Sequence, residues 1–92
     1  MALKKLIEGP KKLTESRDSG WQEWFKQRVY YFDNESQKVV VKLWEFFENT
    51  RRPYKNYKRL VSSKQISVNR APKKVQKNLK KRGYLSLTSN SN

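Results

Sequence analysis

The chain has 92 residues, enough for one small domain, with 35% hydrophobic residues and a formal net charge of +14. It has no cysteine and no histidine, which excludes disulfides, thiolate metal sites and catalysis by either side chain. No apolar run approaches the ~18–20 residues of a membrane span, and the expected location is intracellular.

In chain order, residues 1–20 read as an N-terminal arm or linker. Leu3, Leu6 and Ile7 have helical spacing among lysines, as in a short arm or a targeting peptide, and Gly9-Pro10 ends any helix there. Glu8 speaks against a transit peptide, which is poor in acids. Residues 21–87 read as the ordered domain, because eleven of the twelve aromatics lie between Trp21 and Tyr57. Trp21, Trp24, Phe25, Val29 and Phe32 fall on one face of a helix, which Asp18 or Ser19 would cap. Residues 33–36 form a polar break. Val40, Leu43, Trp44 and Phe47 then predict a helix over about 36–49. A β-hairpin at about residues 29–43 competes with both helices, since Val29–Phe32 and the three consecutive valines favour strands.

Pro53 breaks the chain after Arg51 and Arg52. Tyr54, Tyr57 and Val61 then mark a third helix, ended by Ser62-Ser63. A last helix is expected over about 69–82, with Asn69 as N-cap, Pro72 in its first turn, and Val75 and Leu79 as its apolar stripe. Gly83 stands where a left-handed C-cap glycine belongs. Residues 84–87 suit a short strand, and 88–92 a disordered tail. The expected fold is therefore mainly α, a small domain of three to four helices with a short C-terminal strand or wing. The alternative is α+β with the hairpin at 29–43.

The charge is divided unevenly. All eight acids lie in the first 50 residues, whereas Arg51 to Asn92 holds 13 Lys and Arg. Such self-repulsion favours a polyanionic partner, most commonly nucleic acid. Arg70, Lys73, Lys74, Lys77, Lys80 and Lys81 share one side of the last helix, followed by Arg82. Asn69 opens it. A solvated face usually mixes signs, and this one has no acid. A solvated or membrane-facing surface and docking to an acidic protein are the other readings of that face. Arg51, Arg52, Lys55, Lys58 and Arg59 form a second cluster, interleaved with Tyr54 and Tyr57. Those tyrosines either stack on bases or pack on the core. Lysine outnumbers arginine, which suits phosphate contact more than base reading.

The segment SVNRAPKKVQKNLKKRGYLSL resembles the recognition-helix region of winged helix-turn-helix DNA-binding domains over about residues 67–87. Ser67, Val75, Leu79, Gly83, Tyr84 and Leu85 would take the family's helix-opening, apolar and wing-entry roles. The resemblance implies that Asn69, Arg70, Lys73, Lys74 and Lys77 enter a major groove.

The expected function is a small basic nucleic-acid-binding protein that contacts the phosphate backbone through its C-terminal half, with DNA preferred over RNA. An RNA-bound structural component of a ribonucleoprotein particle is one alternative. A protein-interaction module is another, with Trp21, Trp24, Phe25, Trp44, Phe46 and Phe47 forming a homodimer or partner surface instead of a core. No enzyme is expected, because the carboxylates are not clustered, and no cofactor or metal.

Overall fold

The structure, a computed structural model, describes residues 3–51 and 55–84. Five antiparallel strands form one sheet: β1 Leu3–Glu8, β2 Lys12–Arg17, β3 Gln22–Asp33, β4 Lys38–Asn49 and β5 Tyr57–Ile66. One helix, α1 Lys73–Lys81, follows. The order is β1-β3-β4-β5, with β2 pairing the other end of the β3 edge that β1 occupies.

This corrects the mainly helical expectation. Both segments read as aromatic helices are twelve-residue strands, paired from Gln22↔Asn49 to Asp33↔Lys38. The hairpin alternative is the nearer reading, though the hairpin extends well beyond residues 29–43. The physical reason lies in the two faces of β3. Trp24, Tyr30 and Phe32 point one way and Phe25, Val29 and Tyr31 the other, so apolar residues occur at both parities. Period-two alternation is hidden, and the helical offsets arise by coincidence. β-Branched and aromatic side chains then favour the extended chain.

The third expected helix is also a strand, β5, with Val61 bulged out between Leu60 and Ser62. The helix expected from Asn69 begins only at Lys73; Val68–Arg70 is a 3-10 turn, and Pro72 is the extended residue before α1. The three helices expected from about residue 36 onward, whose order is the ground for preferring DNA over RNA, are therefore β4, β5 and α1, and that ground goes with them. Segments 3–8 and 12–17 of the expected arm are paired strands. Of the short strand expected at 84–87, only Tyr84 is among the described residues, and the tail at 88–92 lies outside them.

α1 packs on one end of one sheet face. Leu6, Phe32, Val39, Val41, Ala71, Val75 and Leu79 form the core there. Leu6 reaches it because β1 bulges between Lys5 and Ile7. Gly83 ends the helix with φ 84°. Its N–H donates to the Lys80 carbonyl, and the Tyr84 N–H donates to that of Leu79. Tyr84 thereby stacks on Phe32, centroids 4.9 Å apart. Twelve-residue strands span about 40 Å, and a nine-residue helix about 14 Å. Among the described residues, α1 therefore leaves much of the helix-bearing face uncovered.

Candidate functional site

Along β3 the helix-bearing face carries, in order away from α1, Phe32, Tyr30, Arg28, Lys26 and Trp24. Their partners on β4 are Val39, Val41, Leu43, Glu45 and Phe47. The helix hides the first rows. Where its cover ends, an open cleft of about 540 Å³ runs between the start of α1 and the sheet. Tyr30, Leu43 and Ile7 supply apolar lining, while Lys12, Lys26, Arg28 and Lys74 supply charge.

Local chain chemistry sets this arrangement. Gly9-Pro10 interrupts the edge strand, so β1 ends and β2 restarts against the same β3. The Gly9 N–H donates to the Arg28 carbonyl at 2.7 Å, and Gln27 Nε2 donates to the Gly9 carbonyl at 2.9 Å. A Cβ on Gly9 would stand 3.1 Å from the Arg28 oxygen. The close approach fixes where β2 begins and brings Lys12 directly opposite Lys26.

The cleft's four cations form no ion pair among the described residues, while the nearby acids are engaged elsewhere. Glu8, on the rim, pairs with Lys5. The hydrogen bond from Lys5 holds the Glu8 carboxyl below the usual carboxylate range and raises Lys5 itself. Glu45, opposite Lys26, accepts from Arg59 Nε at 2.8 Å, a bond that raises the Arg59 guanidinium further. The cleft therefore keeps a field suited to an anion.

Next to the basic rows lies an aromatic row on the same face. Trp24, Phe47 and Tyr57 are cross-strand neighbours. Ring centroids are 4.8 Å apart for Trp24–Phe47 and 5.3 Å for Phe47–Tyr57. Arg17 lies over Trp24 at 5.2 Å. On the opposite face the rings are already covered by amines. Lys11 sits 5.0 Å over Phe25 and 4.9 Å over Phe46 while bonding Glu48, and Lys58 sits 4.4 Å over Trp44.

The cationic residues singled out in the sequence divide between surfaces. Lys73, Lys77, Lys80 and Lys81 are exposed on the side of α1 away from Val75 and Leu79, and Lys74 lines the cleft. Arg70 and Asn69 lie in the exposed 3-10 turn, and Arg82 follows α1. Arg59 is on the helix-bearing face and Lys58 on the other. Lys55 is exposed before β5. Arg51 stacks over Trp21 at 4.5 Å and lies 3.7 Å from Asp18. Arg52 falls outside the described residues.

Lys12, Lys26 and Arg28 were not singled out for binding by sequence reasoning, and Trp24 and Phe47 were singled out only as part of a protein-interaction surface. The alternation Trp24, Lys26, Arg28, Tyr30, Phe32 was the available signal, once the segment is read as a strand. Among the described residues no group of carboxylates could hold a metal ion, and no helix is long and apolar enough to cross a membrane. No protein-family model, curated protein or solved structure matches the chain.

Proposed function

We propose that this protein binds the phosphate backbone of a nucleic acid on the helix-bearing side of its sheet. The observation that carries the reading is the convergence of Lys12, Lys26, Arg28 and Lys74 on one cleft without ion-pair partners among the described residues. The outward lysines of α1 lie on the same side and extend the charge. Cations held together in this way attract a polyanion and release its condensed counterions on contact. Three of the four are lysines, which favours phosphate contact over a sequence code.

The test is fluorescence anisotropy with labelled single-stranded DNA, duplex DNA and structured RNA, each across a salt series. Binding should weaken steeply with salt. Lys26→Gln and Arg28→Gln should weaken it, whereas Lys38→Gln, on the opposite face, should not. Absence of binding to all three polyanions in low salt would sink the reading.

A further inference from the structure

We infer that the aromatic row beside the cleft stacks an unpaired base, making the target a single strand. This inference rests on the backbone-binding reading above. The stack runs across three strands and stops at Tyr57, on the sheet's edge strand. Its Trp24 end is closed by Arg17. At the other end, Phe47 is the only ring stacked on Tyr57 among the described residues, and Tyr57 is 48% exposed. A base laid on the outer face of Tyr57 would continue the stack.

Two relations distinguish this row from the other aromatics. First, it lies one row beyond Lys26, so a strand whose phosphates enter the cleft carries bases towards the rings. Second, the rings of the opposite face have lysine amines over them, and a base there would have to displace those amines. Duplex bases are stacked inside their helix and cannot use the Tyr57 face. The shared chemistry is an unpaired base on a phosphodiester strand, with either sugar.

The experiment measures binding of the full chain to four probes: a single-stranded DNA oligomer, the same sequence as RNA, its DNA duplex, and a DNA oligomer of equal length with abasic sites. Tyr57→Ala should lose roughly 10-fold or more in affinity for the two base-bearing single strands. It should bind the duplex and the abasic strand as the unaltered chain does, which also shows that the variant is folded. Tyr57→Phe keeps the ring and should bind normally. Comparison of the DNA and RNA arms identifies the preferred sugar. Equal affinity of the unaltered chain for abasic and base-bearing strands overturns the inference, as does unchanged single-strand binding by Tyr57→Ala. In both cases a loss caused by Lys26→Gln would leave backbone binding standing. Absence of binding to all four probes would overturn both.

Discussion

Lys12 on β2 and Lys26 on β3 stand directly opposite each other, and neither is ion-paired among the described residues. Like charges in register across an antiparallel pair weaken the sheet. A comparable juxtaposition on the other face, Glu23 opposite Glu48, has Lys11 bonded to Glu48 at 2.6 Å. Neither lysine has an acid bonded to it among the described residues, because Glu45, opposite Lys26 on β4, is bonded to Arg59, and a bound anion would supply that bond.

Stability and binding should therefore move in opposite directions at this pair. In Lys12→Gln/Lys26→Gln, removal of the repulsion should raise the thermal midpoint slightly. Nucleic-acid affinity should fall, and the slope of log K against log salt should flatten by roughly 1.5 for two lost phosphate contacts. Calorimetry together with anisotropy across a salt series checks both. A variant that is destabilised and binds normally would remove the lysines from the site.

Gly9 sets the cleft's edge by close approach. A methyl group 3.1 Å from the Arg28 oxygen would push the strands apart just where the Gly9 N–H donates to that oxygen at 2.7 Å. The oxygen belongs to the backbone of the central strand and has little freedom to yield. Gly9→Ala should cost about 1–3 kcal/mol, the usual range for overpacking. Urea denaturation measures it, and no change in midpoint would show that the edge relaxes freely.

How much of this was legible depends on how many competing periods each segment carries. Val75 and Leu79 in a run of lysines have only one apolar stripe, and they form one helix with Gly83 at its left-handed end. Val39–Val41 signalled a strand, and the valines pair with Phe32, Tyr31 and Tyr30. Trp21 to Phe32 misled because both faces of β3 bear aromatics, which hides alternation. β5 was obscure for the opposite reason: as an exposed edge strand it has few apolar residues to reveal its period. The cleft depends on register, since Lys12 and Lys26 meet only because Gly9-Pro10 restarts the edge strand. Composition pointed to the basic C-terminal half, whereas three of the cleft's four cations come from the nearly neutral first half.

The bulge at Leu6 also makes an ion pair. Lys5 and Glu8, three apart in a strand, would ordinarily face opposite ways, but the extra residue turns both to the face away from α1. Because Glu8 is held below its ordinary value, its contribution to stability is present above the unfolded carboxylate pKa. That contribution is lost as pH falls through the lower folded value. For Lys5, raised by the same bond, the contribution is present below its unfolded value and lost as pH rises through the folded one. Both groups are exposed, so stability should change little at either end. Carboxyl carbon NMR is the direct probe: Lys5→Ala should move the Glu8 midpoint upward, and an unmoved midpoint would refute the pair.

Stability should be concentrated where α1 covers the sheet. Leu79 is fully buried against Phe32, Val39 and Val41, whereas Leu60, on the face away from α1, is 45% exposed. Leu79→Ala removes apolar contacts and leaves a cavity in a core of few residues, so it should cost about 2–5 kcal/mol. Leu60→Ala removes a side chain still largely in water and should cost under about 1 kcal/mol. Paired denaturation curves test the contrast. Equal losses would mean that the strands beyond the helix are covered in solution, by a second copy or another partner. In that case the Leu60 loss should depend on protein concentration, which sedimentation of both variants would reveal.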